Sequence, residues 1–498
     1  MPKRILRPWW ILVSIVILLS NCASSCKKET TIVVPDSQLT VPGEYLAELE
    51  AVAIGPGDPK CANGRAIIAS WNRLFSLDLS TFVATDITSK LPTPTPETSP
   101  GELYEIGGDP QLARHQDGSF LFLRQGSTTA PISGPQPEWV TAHTNRRSML
   151  FIWRSTNCGN TWEVFHPIDS QNFLGGECAY PQSATWFGGF DRNELYTDPW
   201  NGNIYLTSSC RSGYSAFPGH GRQVNLLFVL RPGDSDWRAP VELPWNAPLV
   251  MTSNKSGLLW LYHWLWNKPP PGQPETFQST VYTSDTQGET INNPTGLPVV
   301  YDTTAFLDPI NEVSLPTSNM FAANQKVNAA NYAIGRSGDA DQILLAYPVP
   351  ENGRHVLKTA ILTNVPLKIT VKPGVTFRAE EADASILQPT LIESDRVGIN
   401  DGPRPALLYW LESSPGSGKI QVRYSIATNN LNWSEPKTIS TAAWTPNFDS
   451  GAWGGDYVNG AYYFDNGKSH FLLTWSQSES GISHPNLNIH YAVVSAEP

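Results

Sequence analysis

The chain has 498 residues, with 34 basic against 45 acidic side chains and a formal net charge of −11. That balance lacks the basic footprint a phosphate backbone requires, so nucleic acid is not an expected partner. Only 16% of residues are charged, Gly and Pro number 38 and 42, and there are 18 Trp, 17 Tyr and 18 Phe, a composition that speaks against a helical protein and suits a large all-β one.

In chain order, the first feature is a targeting segment. Lys3, Arg4 and Arg7 are followed by an apolar run, Trp9 to Leu19, too short to serve as a final membrane span. The stretch Ala23-Ser24-Ser25-Cys26 resembles a lipobox, with Cys26 as the lipidated residue and Cys22 as the weaker alternative. Lys27-Lys28-Glu29 resembles a surface-export signal of Gram-negative lipoproteins. Residues 1–26 are therefore expected to be a lipoprotein signal peptide, with the protein exported and lipid-anchored to the outer membrane or cell surface. Removing them takes three basic residues and leaves 31 against 45, near −14. Residues 27–45 read as a polar, flexible tether, and 46–498 as one domain.

Beyond the tether, apolar strand-like runs recur in pairs separated by turn-rich gaps. Ala66–Trp71 is followed by Leu74–Leu77, Ser119–Leu123 by Met149–Trp153, and Asn203–Leu206 by Leu226–Leu230. Leu258–Tyr262 is followed by Ser279–Tyr282, Ile343–Tyr347 by Val356–Ala360, Ala406–Trp410 by Ile420–Tyr424, and Phe471–Trp475 by Ile489–Val493. No useful helical period appears. Regular short strands with aromatic punctuation predict a β-propeller of six or seven four-stranded blades, seven preferred. A closed ring also hides both sheet edges. Four cysteines outside the signal, Cys61, Cys158, Cys178 and Cys210, are expected to form disulfides in an oxidising compartment, in any of three pairings. A metal site of Cys178, Cys210 and His220 is the rival reading, but no tight Cys-x-x-Cys pair supports it, and neither metal nor cofactor is expected.

A turn recurs after the second strand of several pairs. Ser155-Thr156-Asn157-Cys158-Gly159-Asn160-Thr161-Trp162 resembles the Asp-box of sialidase-like (BNR) propellers. Ser284 to Ile291 is a second copy with Thr286 at the acidic position, Ser425 to Trp433 a looser third, and Gly233 to Pro240 keeps only the Trp-x-x-Pro end. Asp191 to Pro199 with Gly202 to Tyr205, and Gly455 to Gly460, resemble blade openings of the same family. The resemblance implies a sialidase-like fold, with these turns structural and on the outer edge. Its likeness covers about residues 104–240 and 400–495 well and 300–395 poorly. The family's first carboxylate-binding arginine belongs to an Arg-Ile-Pro motif. Here Gly108 and Asp109 stand before Pro110, placing an anion where the substrate's carboxylate would need a cation, which argues against exo-sialidase chemistry.

In propellers ligands usually bind at the mouth of the central channel. The polar openings of the first strands offer Asp109, Asp191, Arg192, Asp456 and Tyr457, which could equally join blades around the axis. Two loops offer another set: His143 with Arg147 precedes the second run of one pair, and Tyr214, His220 and Arg222 lie between the two runs of the next. An arginine that neutralises a carboxylate beside a His or Tyr acid/base suits a polysaccharide lyase acting on uronic acids; a solvated aromatic loop is the plainer alternative. The expectation is thus a monomeric surface lipoprotein that binds or processes extracellular glycans, with a uronate lyase or a non-catalytic protein-interaction propeller as alternatives. A hydrolase would usually need two carboxyls about 5–9.5 Å apart.

Overall fold

The computed structural model describes residues 30–39, 48–70, 73–94, 104–106, 110–131, 146–169, 189–212, 222–243, 250–267, 276–292, 295–302, 333–336, 342–351, 354–365, 368–381, 384–394, 405–414, 419–427, 432–441, 457–478 and 487–496. These residues form a seven-bladed β-propeller of seven separate sheets, antiparallel except for the short parallel pairing of Tyr457–Val458 with the inner strand of blade 1. The only helical element among them is one 3-10 turn, Thr88–Lys90.

Blade 1 runs outward through Glu48–Ile54, Arg65–Ala69, Leu74–Asp78 and Ala84–Asp86. In blade 2, Tyr104–Ile106 and Gln111–Arg114 both pair with Phe120–Pro131, which pairs with Arg146–Ser155. Blade 3 is Gly189–Thr197, Ile204–Ser212, Arg222–Leu230 and Val241–Leu243. Blade 4 begins at Val250–Ser253, blade 5 at Ala333–Arg336 and blade 6 at Ser385–Glu393, each followed outward by three more strands in chain order. Blade 7 is Ala461–Asp465, Lys468–Ser478 and Leu487–Ala496, and its outermost strand is Thr30–Leu39. Each innermost strand touches those of the two neighbouring blades, so the ring closes.

The closing strand corrects the expected tether. Residues 30–39 pair antiparallel with 487–496, from Thr30 opposite Ala496 to Leu39 opposite Ile489. The run Thr30-Thr31-Ile32-Val33-Val34 is rich in β-branched residues, which suit a pleated, half-buried surface. A cluster of two buried side chains and the exposed Thr441 locks it: Asp36 Oδ1 lies 2.6 Å from His490 Nδ1, and Asp36 Oδ2 accepts from Thr441 N and Oγ1, both at 2.8 Å. Those hydrogen bonds hold the Asp36 carboxyl below its ordinary range against the opposing pull of burial. Replacing Asp36 by alanine strands His490 in a site where the side chains of His490 and Asp36 are 11% and 2% exposed. We expect a loss of about 3 kcal/mol in urea unfolding; a loss within the scatter of surface substitutions would mean the cluster does not secure the ring.

Apolar packing lies between blades. Val34, Leu49, Ile68, Leu77 and Val493 join blades 7 and 1. Ile67, Phe122, Trp153 and Trp162 join blades 1 and 2. Trp153, Trp260, Trp410 and Trp475 sit on middle strands and are fully buried, so these aromatics are core and not sugar platforms.

The recurring turns behave as their chemistry predicts. In the first, Ser155 Oγ accepts from Gly159 N at 2.8 Å and Asn157 Oδ1 from Thr161 N at 2.9 Å, while Cys158 and Gly159 take φ of 65° and 76°. In the second, Ser284 Oγ accepts from Gly288 N at 2.8 Å, and Thr286 Oγ1 replaces the amide oxygen, accepting from Thr290 N at 2.8 Å. Each turn abuts the preceding blade. A Cβ on Gly159 would lie 2.7 Å from Ile67, and one on Gly288 would lie 2.8 Å from Val229. Cys158 in the first turn is disulfide-bonded to Cys61 of blade 1. Cys210 lies on the second strand of blade 3, opposite Phe190, and Cys178 and His220 are outside the described residues.

Candidate active site at the channel axis

Strand direction defines the two faces. Inner strands begin, and second strands end, at one face: Gly189 is opposite Arg211, and Ser212 is opposite Arg222. The recurring turns occupy the other. Glu50, Gln111 and Glu194 stand four, three and three residues before the far ends of their strands, Ile54, Arg114 and Thr197, so they share one level of the channel.

Glu50 is clasped from both sides. Its Oε1 accepts from Gln111 Nε2 of blade 2 at 3.3 Å, and its Oε2 accepts from Asn459 Nδ2, just before blade 7, at 3.0 Å. Asn459 is itself fixed, donating its backbone N–H to Leu49 O at 3.0 Å and accepting Gly460 N on Oδ1 at 2.8 Å. Burial pushes the Glu50 carboxyl up to about 8, and the two amide donors only partly counter it.

Glu194 is presented differently. The inner strand of blade 3 carries a β-bulge: Asp191 faces Ser209 and Glu194 faces Thr207, so Arg192 and Asn193 share the single partner position at Ser208. A bulge re-aims side chains, a device common beside active sites. Asn193 is turned into the sheet, where Ser208 Oγ donates to its Oδ1 at 2.7 Å. Glu194 remains partly accessible although protein surrounds it, the condition of a group lining an enclosed channel. Among the described residues no hydrogen bond or ion pair engages its carboxyl. Burial first, and the nearby Glu50 carboxyl second, push it well above its ordinary range. Two carboxyls that repel in a poorly solvated site do not readily ionise together, so at most one of them is an anion while the other keeps its proton.

The residues singled out from sequence fall unevenly. Asp191 and Arg192 are on the bulged strand, two and three residues into it. Arg147 and Arg222 open the third strands of adjacent blades at the mouth face, beside Arg146 opposite Pro131 and opposite Ser212 respectively. Tyr457 pairs in parallel with Glu48 at the inner edge of blade 1. Asp109, His143, Tyr214, His220, Asp456 and Cys26 lie outside the described residues. Glu50 and Glu194, the carboxyls brought together at the axis, were not among the residues selected from sequence.

No family model matches the chain, and no curated protein matches it. Among solved structures, a Hadza microbial sialidase matches 86% of this chain and 73% of its own at 12% identity, with a TM-score of 0.43. An α-L-arabinanase of Penicillium chrysogenum matches 77% of this chain and 92% of its own at 12% identity and a TM-score of 0.38. An α-L-arabinofuranosidase of Fusarium graminearum matches 80% and 98% at 11% identity and a TM-score of 0.39. Identities and scores this low carry no site residue and no substrate to this chain.

Proposed function

We propose that the protein is a surface lipoprotein that binds glycans at the channel mouth and hydrolyses them, with Glu194 as the proton donor. The observation that carries this reading is the pair of axial carboxyls, one locked by amides and one presented by a bulge with no partner among the described residues. Glu50, whose two amide donors partly offset its burial, is the first of the pair to ionise, and Glu194, with no such donor among the described residues, keeps its proton for the leaving oxygen. The repulsion that separates the two roles comes from their proximity in a site screened from water. The pair supplies the two carboxyls that glycoside hydrolysis uses, which favours hydrolysis over the lyase alternative.

The test is product analysis on a panel of sialosides, arabino-oligosaccharides, neutral polysaccharides and polyuronates. New reducing ends on one member, without the absorbance of an unsaturated product, are expected. Glu194→Gln is expected to lower that rate by about 10²–10⁴-fold, with the melting curve unchanged. Full activity in the variant, or no cleavage of any member by wild type, overturns the reading.

A further inference from the structure

The closing strand fixes which way the disc faces. Thr30 is opposite Ala496, which is opposite Ser469, and Ser469 adjoins the Asp465–Lys468 turn. That turn joins the first and second strands of blade 7, so it belongs to the face carrying the Ser155–Trp162 and Ser284–Ile291 turns. The chain therefore enters the propeller at the rim of the face opposite the channel mouth.

From this placement we infer that the turn-bearing face, at the rim of blade 7, is the surface that lies against the lipid bilayer, and that the channel mouth points away from it. The inference rests on lipidation of Cys26 and is independent of the hydrolase reading. Four residue steps separate Cys26 from Thr30, at most about 14 Å of fully extended chain. The closing strand itself has ten residues, about 33 Å from one face to the other. A leash less than half as long as the disc is thick cannot bring the mouth face to the bilayer. The side chains nearest the leash fit that contact. Ile32 and Val33 are 43% and 41% exposed, two of the few large apolar residues exposed among the described ones. Both lie within the first four residues of the strand, where their apolar surface would meet the headgroup boundary beside the lipid.

The experiment uses the full-length lipoprotein in phospholipid vesicles and, for comparison, in detergent. Cysteine is introduced at Lys468, in the blade 7 turn, or at Lys419, which pairs with Ser414 at the mouth side of blade 6; both positions are exposed. Reaction with a bulky polymer-linked maleimide is followed, with wild type as background. Lys468→Cys is expected to react at least several-fold more slowly in vesicles than in detergent, and Lys419→Cys equally fast in both. A long Gly/Ser insert between Glu29 and Thr30 is expected to abolish the difference. Equal rates for Lys468→Cys in vesicles and detergent, or slowing of Lys419→Cys instead, overturn the orientation. Labelled fatty acid on wild type but not on Cys26→Ser tests the anchor separately: if lipid remains on the variant, the anchor assignment fails, whatever the labelling rates.

Discussion

Replacing Cys61 and Cys158 together by alanine is expected to cost about 4–5 kcal/mol, the chain-entropy value for a loop of roughly 100 residues. The bridge closes a sequence separation of 97 and has a Cα–Cα distance of 5.5 Å. Both residues are buried, at 5% and 4% exposure, beside Ile67, Trp153 and Trp162. The bridge ties the loop that follows the first strand of blade 1 to a turn of blade 2, so its loss frees one blade from its neighbour. Denaturant unfolding of the double variant and of the reduced wild type should show similar shifts in midpoint. A loss below about 1 kcal/mol would mean that packing alone holds the two blades in register.

Glu50→Gln should change stability in a direction that depends on pH. The folded carboxyl is raised to about 8 from an ordinary 4.5. Its contribution to stability is therefore fully present below about 4.5 and is lost as pH rises towards 8, because the unfolded chain releases the proton that the folded one retains. The accumulated loss by pH 9 is roughly 3–5 kcal/mol. A neutral amide avoids it. The new side chain has one acceptor where the carboxyl had two, so at pH 5 the variant should be about 1 kcal/mol less stable. At pH 9 it should be more stable than wild type by about 2–4 kcal/mol. Thermal or denaturant curves at the two pH values decide it, and parallel behaviour of variant and wild type would show that Glu50 is not a buried acid. In activity, loss of Glu50 should remove the limb of the pH profile that rises near 8.

The middle of every blade was legible in the sequence, and the channel was not. All seven apolar pairs fall on the second and third strands of a blade, Ala66–Trp71 with Leu74–Leu77 in blade 1 and Phe471–Trp475 with Ile489–Val493 in blade 7 among them. Those strands have protein on both faces and at both edges, so they read as unbroken apolar runs. Inner strands are shorter and mixed. Glu48-Leu49-Glu50-Ala51-Val52 has a period-two pattern that could have marked a strand, but nothing in it says that Asn459, over 400 residues away, will hold Glu50. Glu194 lies in the same opening segment as Asp191, yet simple alternation gives no account of a bulge, and without the bulge nothing marks Glu194 above Asp191. Residues 30–39 read as tether from the sequence because their partner strand, 487–496, lies more than 400 residues away.

That last separation has a kinetic meaning. Thr30–Leu39 can find its place only after Leu487–Ala496, its partner about 450 residues later in the sequence, has been made. Until then Thr30–Leu39 carries unpaired backbone groups and apolar side chains through the synthesis of all the blades between, a hazard for edge-to-edge association. Contacts of such long range also slow folding. Completion of the ring thus depends on strands from both ends of the fold: a chain truncated before residue 487 lacks the partner of Thr30–Leu39, and is expected to remain an open, protease-sensitive arc.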